Sequence, residues 1–273
     1  MANPEVNLST ATRANLLSLT RTTDLIAQTQ ERLSTGLKVN SAIDDAIAFF
    51  QARSLSDRAS DLALLKSSID LGVNTVEVAA TGIESITGIV EQMKGLALAA
   101  KSDSNTSNRS NSAVQFNDLM TQIDNLSNDA SFKGSNLIKG SPANLKVTFS
   151  EDGSSSLTIS GIASDSSGLS MVVAAGNWGT DANIELAIND LDSALSTLRS
   201  TAQNLGSNAA VLSLRLDFTK NLINSLEEGS SKLVNADLNE ESANLLTLQT
   251  RQQLGTIGLS IAQQSEQSIL RLF

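Results

Sequence analysis

Two adjacent acidic residues and one glycine-rich turn are the parts of this sequence that could support chemistry. The carboxylates of Asp44 and Asp45 are of the type that acid–base catalysis and divalent cations use. The turn from Gly176 to Gly179 could suggest a phosphate loop, but it lacks the Gly-Lys-Ser/Thr ending that supplies the charge and the metal ligand. No cluster of His, Cys or further carboxylates accompanies either motif. We therefore interpret the acidic pair as helix-capping or salt-bridging residues, and the turn as the entry to a helix.

The composition excludes several classes of function. The sequence has no Cys, no His and no Tyr, which excludes disulfides, thiol chemistry, histidine acid–base catalysis and the usual zinc sites. Its formal net charge of -10 disfavours a nucleic-acid partner, because phosphate binding requires basic patches. We expect a protein that is not an enzyme and needs no cofactor or metal.

The sequence shows neither a membrane span nor an ordinary secretory signal. No segment approaches about 18 uninterrupted apolar residues, so we expect no membrane association. The first residues lack both a basic region and a continuous apolar region, so no cleaved signal peptide is expected. Two interpretations remain open at this point: a cytosolic protein, or one that leaves the cell by another route.

Two long segments carry apolar or small residues at alternating spacings of three and four. The first runs from Leu62 to Ala100, and the second from Ile184 to about Leu233. A pattern sustained over so many heptads is typical of coiled-coil packing. We predict that these seams form the subunit's rod through Leu62, Ile69, Val76, Ile83, Val90, Leu191, Leu198, Leu205, Leu212 and Leu226.

Capping signals predict further helices around the two seams. We expect a first helix over residues 5–33 and a second helix that Ser41 caps and that runs to about residue 100. The polar stretch from Ser102 to Ser112 predicts a turn before a third helix. The second seam helix is expected over residues 181–233, and Asp237 or Asn239 is expected to cap a last helix.

The middle of the chain has a different period. Val147 and Phe149, then Leu157 and Ile159, alternate with polar residues on either side of an Asp-Gly turn, which predicts a β-hairpin. The predicted fold class is therefore mainly α: a long antiparallel helical rod or coiled-coil bundle with paired terminal helices and a small β-rich region in mid-sequence (α+β).

Four glycines lie within the first seam helix: Gly72, Gly82, Gly88 and Gly95. Each disfavours an exposed helix interior by about 1 kcal/mol relative to Ala. They indicate either a loose helix or close approach of neighbouring helices, and the position of Gly72 on the seam favours close approach.

The terminal helices differ from the seams because they are diluted with polar residues. On the last helix, Leu245 and Leu248 mark one stripe, while Leu254, Ile257 and Ile261 mark another. One partner cannot cover both stripes, and helices are marginal without burial, so we expect the chain ends to be disordered in the isolated subunit and to fold on assembly. The predicted assembly residues are Leu16, Leu19, Ile26, Leu33, Leu245, Leu248, Leu254, Ile257, Ile261 and Ile269.

Both ends of the chain resemble those of bacterial flagellins, particularly the short alphaproteobacterial type. Residues 31–46, ERLSTGLKVNSAIDDA, closely resemble the N-terminal signature of that family, which reads much like ERLSSGLRINSAKDDAAG. Residues 248–255, LQTRQQLG, followed by SIA at 260–262 and QSIL at 267–270, resemble its C-terminus. The resemblance covers about the first 135 and the last 90 residues.

The resemblance implies a structural subunit that assembles head-to-tail into a hollow extracellular filament for swimming. It implies a terminal-helix core domain (residues 1–40 and 236–273), a helical rod domain (41–130 and 180–235) and a small variable surface domain (131–179). It also implies export without a cleaved signal peptide. The implied partners are other copies of the chain, the flagellar export apparatus with its chaperone, the filament cap and the hook–filament junction proteins.

One departure from the family concerns recognition by the vertebrate innate receptor. Flagellins that this receptor detects carry a stretch resembling QRVRELAV on the second rod helix, where this sequence has EQMKGLAL at residues 91–98. Gln92 replaces an arginine, Gly95 replaces a glutamate, and Gln122 stands where a further glutamate is expected. Because charge-assisted contacts contribute about 1.5 to 3 kcal/mol each, we expect recognition to be weak or absent.

Two alternatives remain beside the flagellin interpretation. A hook–filament junction protein shares the architecture, but in that family the N-terminal segment reads more like GKRVNRPSDDP, with prolines where this chain has Ala42 and Ala46. A secreted binding module with a coiled-coil stalk is the second alternative, in which the β-rich region would bind a target.

Overall fold

The described part of the chain consists mainly of long helices. The computed structural model describes residues 10–270, except for the side chains at positions 266, 267, 269 and 270. Its elements are α1 (Thr10–Thr35), α2 (Ala46–Ser102), α3 (Thr106–Asp129), β1 (Leu145–Thr148), β2 (Ser156–Ile159), α4 (Asp181–Val234) and α5 (Leu238–Leu270). The predicted mainly α fold class with a small β part is confirmed. No helix among the described residues is both long and apolar enough to cross a membrane.

The chain divides into two compact units. The first comprises the described residues up to 58 together with those from 225 onward, and the second comprises residues 59–224. The first unit therefore brings together the two ends of the chain. The second unit contains most of both seams, α3 and the hairpin.

In the second unit, α2 and α4 run antiparallel along the predicted seams. Lys94 of α2 forms an ion pair with Asp192 of α4, and Lys101 of α2 lies 3.4 Å from Glu185 of α4. Residue numbers therefore increase along α2 in the direction in which they decrease along α4. All ten predicted seam residues are buried, including Leu226 in the first unit. Because burying one such side chain contributes about 1.5 to 3 kcal/mol, the seams stabilise the subunit itself.

Helix α3 begins earlier than the sequence suggests. The predicted turn from Ser102 to Ser112 was wrong over most of its length, since only residues 103–105 connect α2 to α3. The reason is a helix cap: Oδ1 of Asn105 accepts a hydrogen bond of 2.9 Å from the Ser107 N–H, and asparagine is a favoured N-cap residue. The polar residues that follow lie on a helix rather than in a loop.

The predicted hairpin is confirmed and forms part of the same core as the helices. β1 and β2 pair antiparallel with Val147 opposite Leu157. Val147 and Ile159 are buried in a cluster that also contains seam residues of α2 and α4. Gly153, in the turn, has a φ of 73°, a conformation that glycine adopts at no steric cost.

The predicted turn into α4 is also confirmed, because Ala175–Trp178 forms a tight turn just before that helix, with positive φ at Gly176, Asn177 and Trp178. Trp178 is fully buried, and its ring meets Phe116 of α3 edge-on with the centroids 5.0 Å apart. The turn therefore anchors the chain to the core.

Two of the four glycines of α2 allow close packing. A Cβ added at Gly72 would lie 2.7 Å from Cγ2 of Val147, and one added at Gly82 would lie 2.7 Å from Cδ1 of Ile138. Gly88 and Gly95 have nothing within 4 Å of such an atom. Close approach is therefore confirmed at Gly72 and Gly82, but the closest atoms there belong to β1 and to the loop after α3 rather than to neighbouring helices. At Gly88 and Gly95 the prediction of close approach is wrong, and these open positions only loosen the helix.

This contrast gives opposite expected results for two alanine substitutions. Gly72→Ala should lower the free energy of unfolding by about 1 to 3 kcal/mol, because it overpacks the core against the hairpin. Gly88→Ala should raise it by about 1 kcal/mol, because alanine is the better helix former. Denaturant titration of both variants measures whether the free energy of unfolding falls or rises. A stabilising effect of Gly72→Ala would contradict the close packing.

Candidate assembly surface

The first unit is built on an antiparallel pair formed by α1 and α5. Nη1 of Arg32 lies 2.9 Å from Oε1 of Glu241. Further along, Nε2 of Gln252 donates a hydrogen bond of 3.3 Å to Oγ1 of Thr23. From the first contact to the second, the residue number decreases on α1 and increases on α5, so the two helices run in opposite directions.

Residues next to both helices hold the pair in register. The N–H groups of Lys38 and Val39 donate to the Val234 carbonyl at 2.6 and 3.2 Å. The Ala236 N–H donates to the Gly36 carbonyl at 2.9 Å. These hydrogen bonds join the connection after α1 to the end of α4 and to the connection before α5, and so fix where α1 and α5 begin to pair.

The ion pair between Arg32 and Glu241 is poorly accessible to water. The two side chains are 26% and 10% exposed. Removing one partner of a desolvated pair leaves a buried charge without compensation, which costs more than the intact pair contributes. The pair therefore favours one alignment of α1 and α5 over shifted ones.

The interpretation of the adjacent carboxylates as capping residues is confirmed at Asp45, but the prediction that Ser41 caps α2 is wrong. Asp45, not Ser41, caps α2, because its Oδ1 accepts a hydrogen bond of 3.0 Å from the Ala48 N–H. Oδ2 of Asp44 accepts hydrogen bonds from the N–H groups of Ser41 (2.9 Å) and Asn40 (3.1 Å). These bonds, that from Ser41 above all, hold the pKa of Asp44 below its usual value. Both carboxylates thus shape the start of the helix.

The described residues contain no group of three or more His, Cys, Asp or Glu side chains placed to hold a metal ion. The apolar side chains on the surface of the α1–α5 pair are therefore the candidates for a functional contact.

The predicted end-helix residues divide into a covered set and an exposed set. Leu19, Leu33, Leu245 and Leu248 are half-buried and Ile26 is buried. The exposed set comprises Leu16 (46% exposed), Leu254 (64%), Ile257 (57%) and Ile261 (59%). The side chain of Ile269 lies outside the part of the chain that the structure describes. The structure thus separates the two predicted stripes of α5.

We call Leu246, Leu254, Ile257 and Ile261 the outer stripe of α5. Leu246 is 67% exposed and was missed from the sequence, although its helical spacing from Leu254 could have revealed it. Leu17 and Leu25 on α1, 55% and 48% exposed, were missed as well. The pair therefore presents more apolar surface than the sequence prediction named.

On its other side, α5 lies very close to α1. A Cβ added at Gly255 would lie 3.2 Å from Cδ1 of Leu19. Helix α5 therefore already has one partner, and its outer stripe requires a different one.

Models of known families match both ends of the chain. The bacterial flagellin N-terminal helical region matches residues 6–143, and the bacterial flagellin C-terminal helical region matches residues 188–273. The chain belongs to the bacterial flagellin family. The flagellin resemblance inferred from residues 31–46 and from the C-terminal motifs is confirmed.

Relatives of this flagellin match along its whole length. It is 34% identical to Flagellin FljM of Caulobacter vibrioides over 274 residues, covering 100% of both chains. It is 32% identical to a flagellin of Brucella melitensis, covering 94% of this chain and 95% of the relative. These matches support the short alphaproteobacterial type. The crystal structure of Bacillus cereus flagellin has a TM-score of 0.50 at 18% identity, covering 56% of this chain and 88% of that one, and supports the fold.

Membership of this family establishes the general role of the chain. This flagellin is a structural subunit of the bacterial flagellar filament, a polymer of its own copies that lies outside the cell. The family is one of structural proteins.

Proposed function

We propose that the pair formed by α1 and α5 is the part of the subunit that holds the filament together. The observation that carries this proposal is the outer stripe: Leu254, Ile257 and Ile261 are each more than half exposed on a helix whose other side faces α1. Exposed apolar surface that is continuous along a helix marks an interaction site. In this proposal, neighbouring copies cover the stripe.

The contact proposed for the outer stripe repeats from subunit to subunit. If the surfaces that meet are different, each added copy presents the same free surface again, and a helical polymer results instead of a closed ring. Burial of the stripe contributes about 25 cal/mol for each Å² of apolar surface removed from water. This free energy of burial is small for one subunit, but the same contact is repeated at every subunit of the filament.

We propose a separate role for the seams. Their ten predicted residues are buried within the subunit, so they stiffen it and leave assembly to the chain ends. The proposed division is a core-lining part (residues 1–40 and 236–273), a rod (41–130 and 180–235) and a surface part (131–179). The proposed partners besides other copies are the export apparatus with its chaperone, the filament cap and the hook–filament junction proteins.

Assembly of the purified chain tests the proposal. Above a critical concentration, sedimentation should recover the chain in the pellet, and electron microscopy should show long filaments. A variant that ends after residue 237 and so lacks α5 should stay in the supernatant with a folded second unit. Filaments formed by that truncated variant would contradict a role for the pair in assembly.

Amide hydrogen exchange should distinguish the chain ends from the seams. We expect fast exchange in α1 and α5 of the free subunit, because their exposed sides bury little apolar surface. The same amides should become strongly protected in the filament, while α2 around Ile83 is protected in both states. Strong protection of residues 10–35 and 240–270 in the free subunit would contradict this expectation.

Recognition by the vertebrate innate receptor is proposed to be weak. Gln92, Gly95 and Gln122 are exposed on α2 and α3, and none carries the charge that the recognised flagellins have there. A cell reporter assay should show little signalling by the free subunit. Signalling at nanomolar concentration as strong as that of a recognised flagellin would contradict the proposal, and restoring Gln92→Arg with Gly95→Glu should increase the response.

A further inference from the structure

One peptide bond of the chain joins aspartate to glycine. Asp152–Gly153 is the only Asp-Gly pair in the sequence, which has no Asn-Gly pair. Such a bond is chemically unstable, because glycine has no side chain to hinder attack by its backbone nitrogen on the preceding carboxyl group. Both residues are exposed in the turn between β1 and β2. This bond is therefore the part of the backbone most open to spontaneous chemical change.

The reaction available to this bond is an isomerisation that consumes only water. The Gly153 nitrogen attacks Cγ of Asp152, and a carboxyl oxygen leaves as water with the amide proton and the carboxyl proton, which closes a succinimide ring. Water then opens the ring at either carbonyl. One opening restores aspartate, and the other gives isoaspartate, in which the main chain runs through Cγ and contains one additional carbon atom.

The folded turn opposes ring closure at both reacting groups. The Gly153 N–H donates a hydrogen bond of 3.1 Å to the Ser150 carbonyl. Oδ1 of Asp152 accepts hydrogen bonds from the Ser154 N–H (3.0 Å) and the Ser154 hydroxyl (2.8 Å). Ring closure brings Cγ within bonding distance of the Gly153 nitrogen and removes the proton of that nitrogen. These hydrogen bonds must therefore open before the reaction can begin.

The charge of the carboxyl group acts in the same direction. Ring closure is faster from the neutral carboxylic acid than from the carboxylate, because water is a better leaving group than hydroxide. The Ser150 hydroxyl, followed by the N–H and the hydroxyl of Ser154, lowers the pKa of Asp152 to about 2. At neutral pH the fraction of neutral acid is therefore smaller in the folded turn than in an unfolded chain.

We propose that Asp152–Gly153 is the isomerisation site of this chain, and that the hairpin turn controls the reaction, which is slow while the turn is closed and fast once the turn opens. The proposal does not depend on the assembly role proposed for the chain ends. A subunit in the filament lies outside the cell, where enzymes of the cytosol cannot repair its backbone. The closed turn thus supplies the protection that the subunit needs there.

Isoaspartate in this turn would disturb the core as well as the surface. Val147 of β1 lies opposite Leu157 of β2, and its side chain fills the space beside Gly72 of α2. The register of a hairpin depends on the length of its turn. An additional carbon atom in the turn would therefore loosen the packing of the hairpin on α2.

Ageing of the purified chain tests the proposal without any substitution. The folded subunit and the same chain unfolded in guanidinium chloride are incubated at neutral pH, and electron-transfer fragmentation of their peptides measures isoaspartate at each aspartate. Isoaspartate should appear first at Asp152 in the unfolded chain, and about ten- to thirtyfold more slowly there in the folded subunit, because at least two hydrogen bonds must open. Equal rates at Asp152 in the two states, or faster isomerisation at another aspartate of the unfolded chain, would overturn the proposal.

Two alanine variants test the hydrogen bonds of the turn directly. Ser154→Ala removes the hydroxyl that donates to Asp152, so it should raise the folded rate about three- to tenfold and leave the unfolded rate unchanged. Ser155→Ala is the matched control, because Ser155 contributes to the turn through its backbone N–H, which donates to Oγ of Ser150 at 2.9 Å, and through its carbonyl. Circular dichroism measures whether both variants are folded. Equal folded rates for the two variants would contradict control by the hydrogen bonds of Asp152.

Discussion

Substituting Leu254 or Ile261 by Asp is expected to abolish filament formation while leaving the second unit folded. Each substitution places a carboxylate in a contact that is apolar on at least one side and that repeats at every subunit. Burying an uncompensated charge costs several kcal/mol, so the critical concentration should rise by about 1,000-fold or more. Sedimentation and electron microscopy measure the loss, and circular dichroism measures the remaining helix content.

The matched control is Gln249→Asp on the same helix. Gln249 is exposed but lies about 100° around the helix from the centre of the outer stripe, so an added carboxylate there should change assembly far less. All three variants introduce the same charge at nearly the same place. If Leu254→Asp and Ile261→Asp form normal filaments, or if the control is equally inactive, the outer stripe is not the assembly surface.

The second large effect is expected at Asn136 in the loop after α3. Its side chain is buried and makes four hydrogen bonds. Nδ2 donates to the carbonyls of Ser127 (2.8 Å) and Asn128 (3.1 Å), and Oδ1 accepts from the N–H groups of Ile138 (2.8 Å) and Lys139 (2.9 Å). Asn136→Ala leaves backbone groups at the end of α3 without partners, which should lower the free energy of unfolding by about 3 kcal/mol.

Asn136→Asp separates the two halves of this network. The carboxylate still accepts from the two N–H groups but cannot donate to the carbonyls, so at neutral pH it should also destabilise the unit. Asn128→Ala is the control, because Asn128 is exposed and its own side chain makes one bond, of 2.8 Å, to the Asp124 carbonyl. Denaturant titration that gives Asn136→Ala and Asn128→Ala the same small effect would refute this role for Asn136.

The sequence predicts well the features that arise from repetition. The seam residues were identified from their spacing because burial along a helix repeats with the helical period, and all ten are buried. The hairpin was identified because its period of two differs from that of the helices. The two stripes of α5 were recognised because a helix packed on one side has one apolar stripe, whereas this helix has two.

Features that depend on single tertiary contacts were not predicted. Ser41 and Asp45 are both good capping residues, and only the path of the preceding turn selects Asp45. The start of α3 was misplaced because a polar helix surface and a polar loop have the same composition. Nothing local distinguishes Asn136 from the other asparagines, because the four bonds it makes depend on how the loop folds back onto α3. The spacing of apolar residues on α5 likewise did not predict which surface packs against each of its two stripes.

The pairing of Arg32 with Glu241 also determines the order in which the subunit can be completed. The two residues are 209 positions apart, so α1 leaves the ribosome long before α5 has been translated. At about 5 to 20 residues per second, α1 waits roughly 10 to 40 s for its partner. A chain that stops before α5 therefore never forms the pair, and under the proposed role of this pair such a chain is not incorporated into a filament.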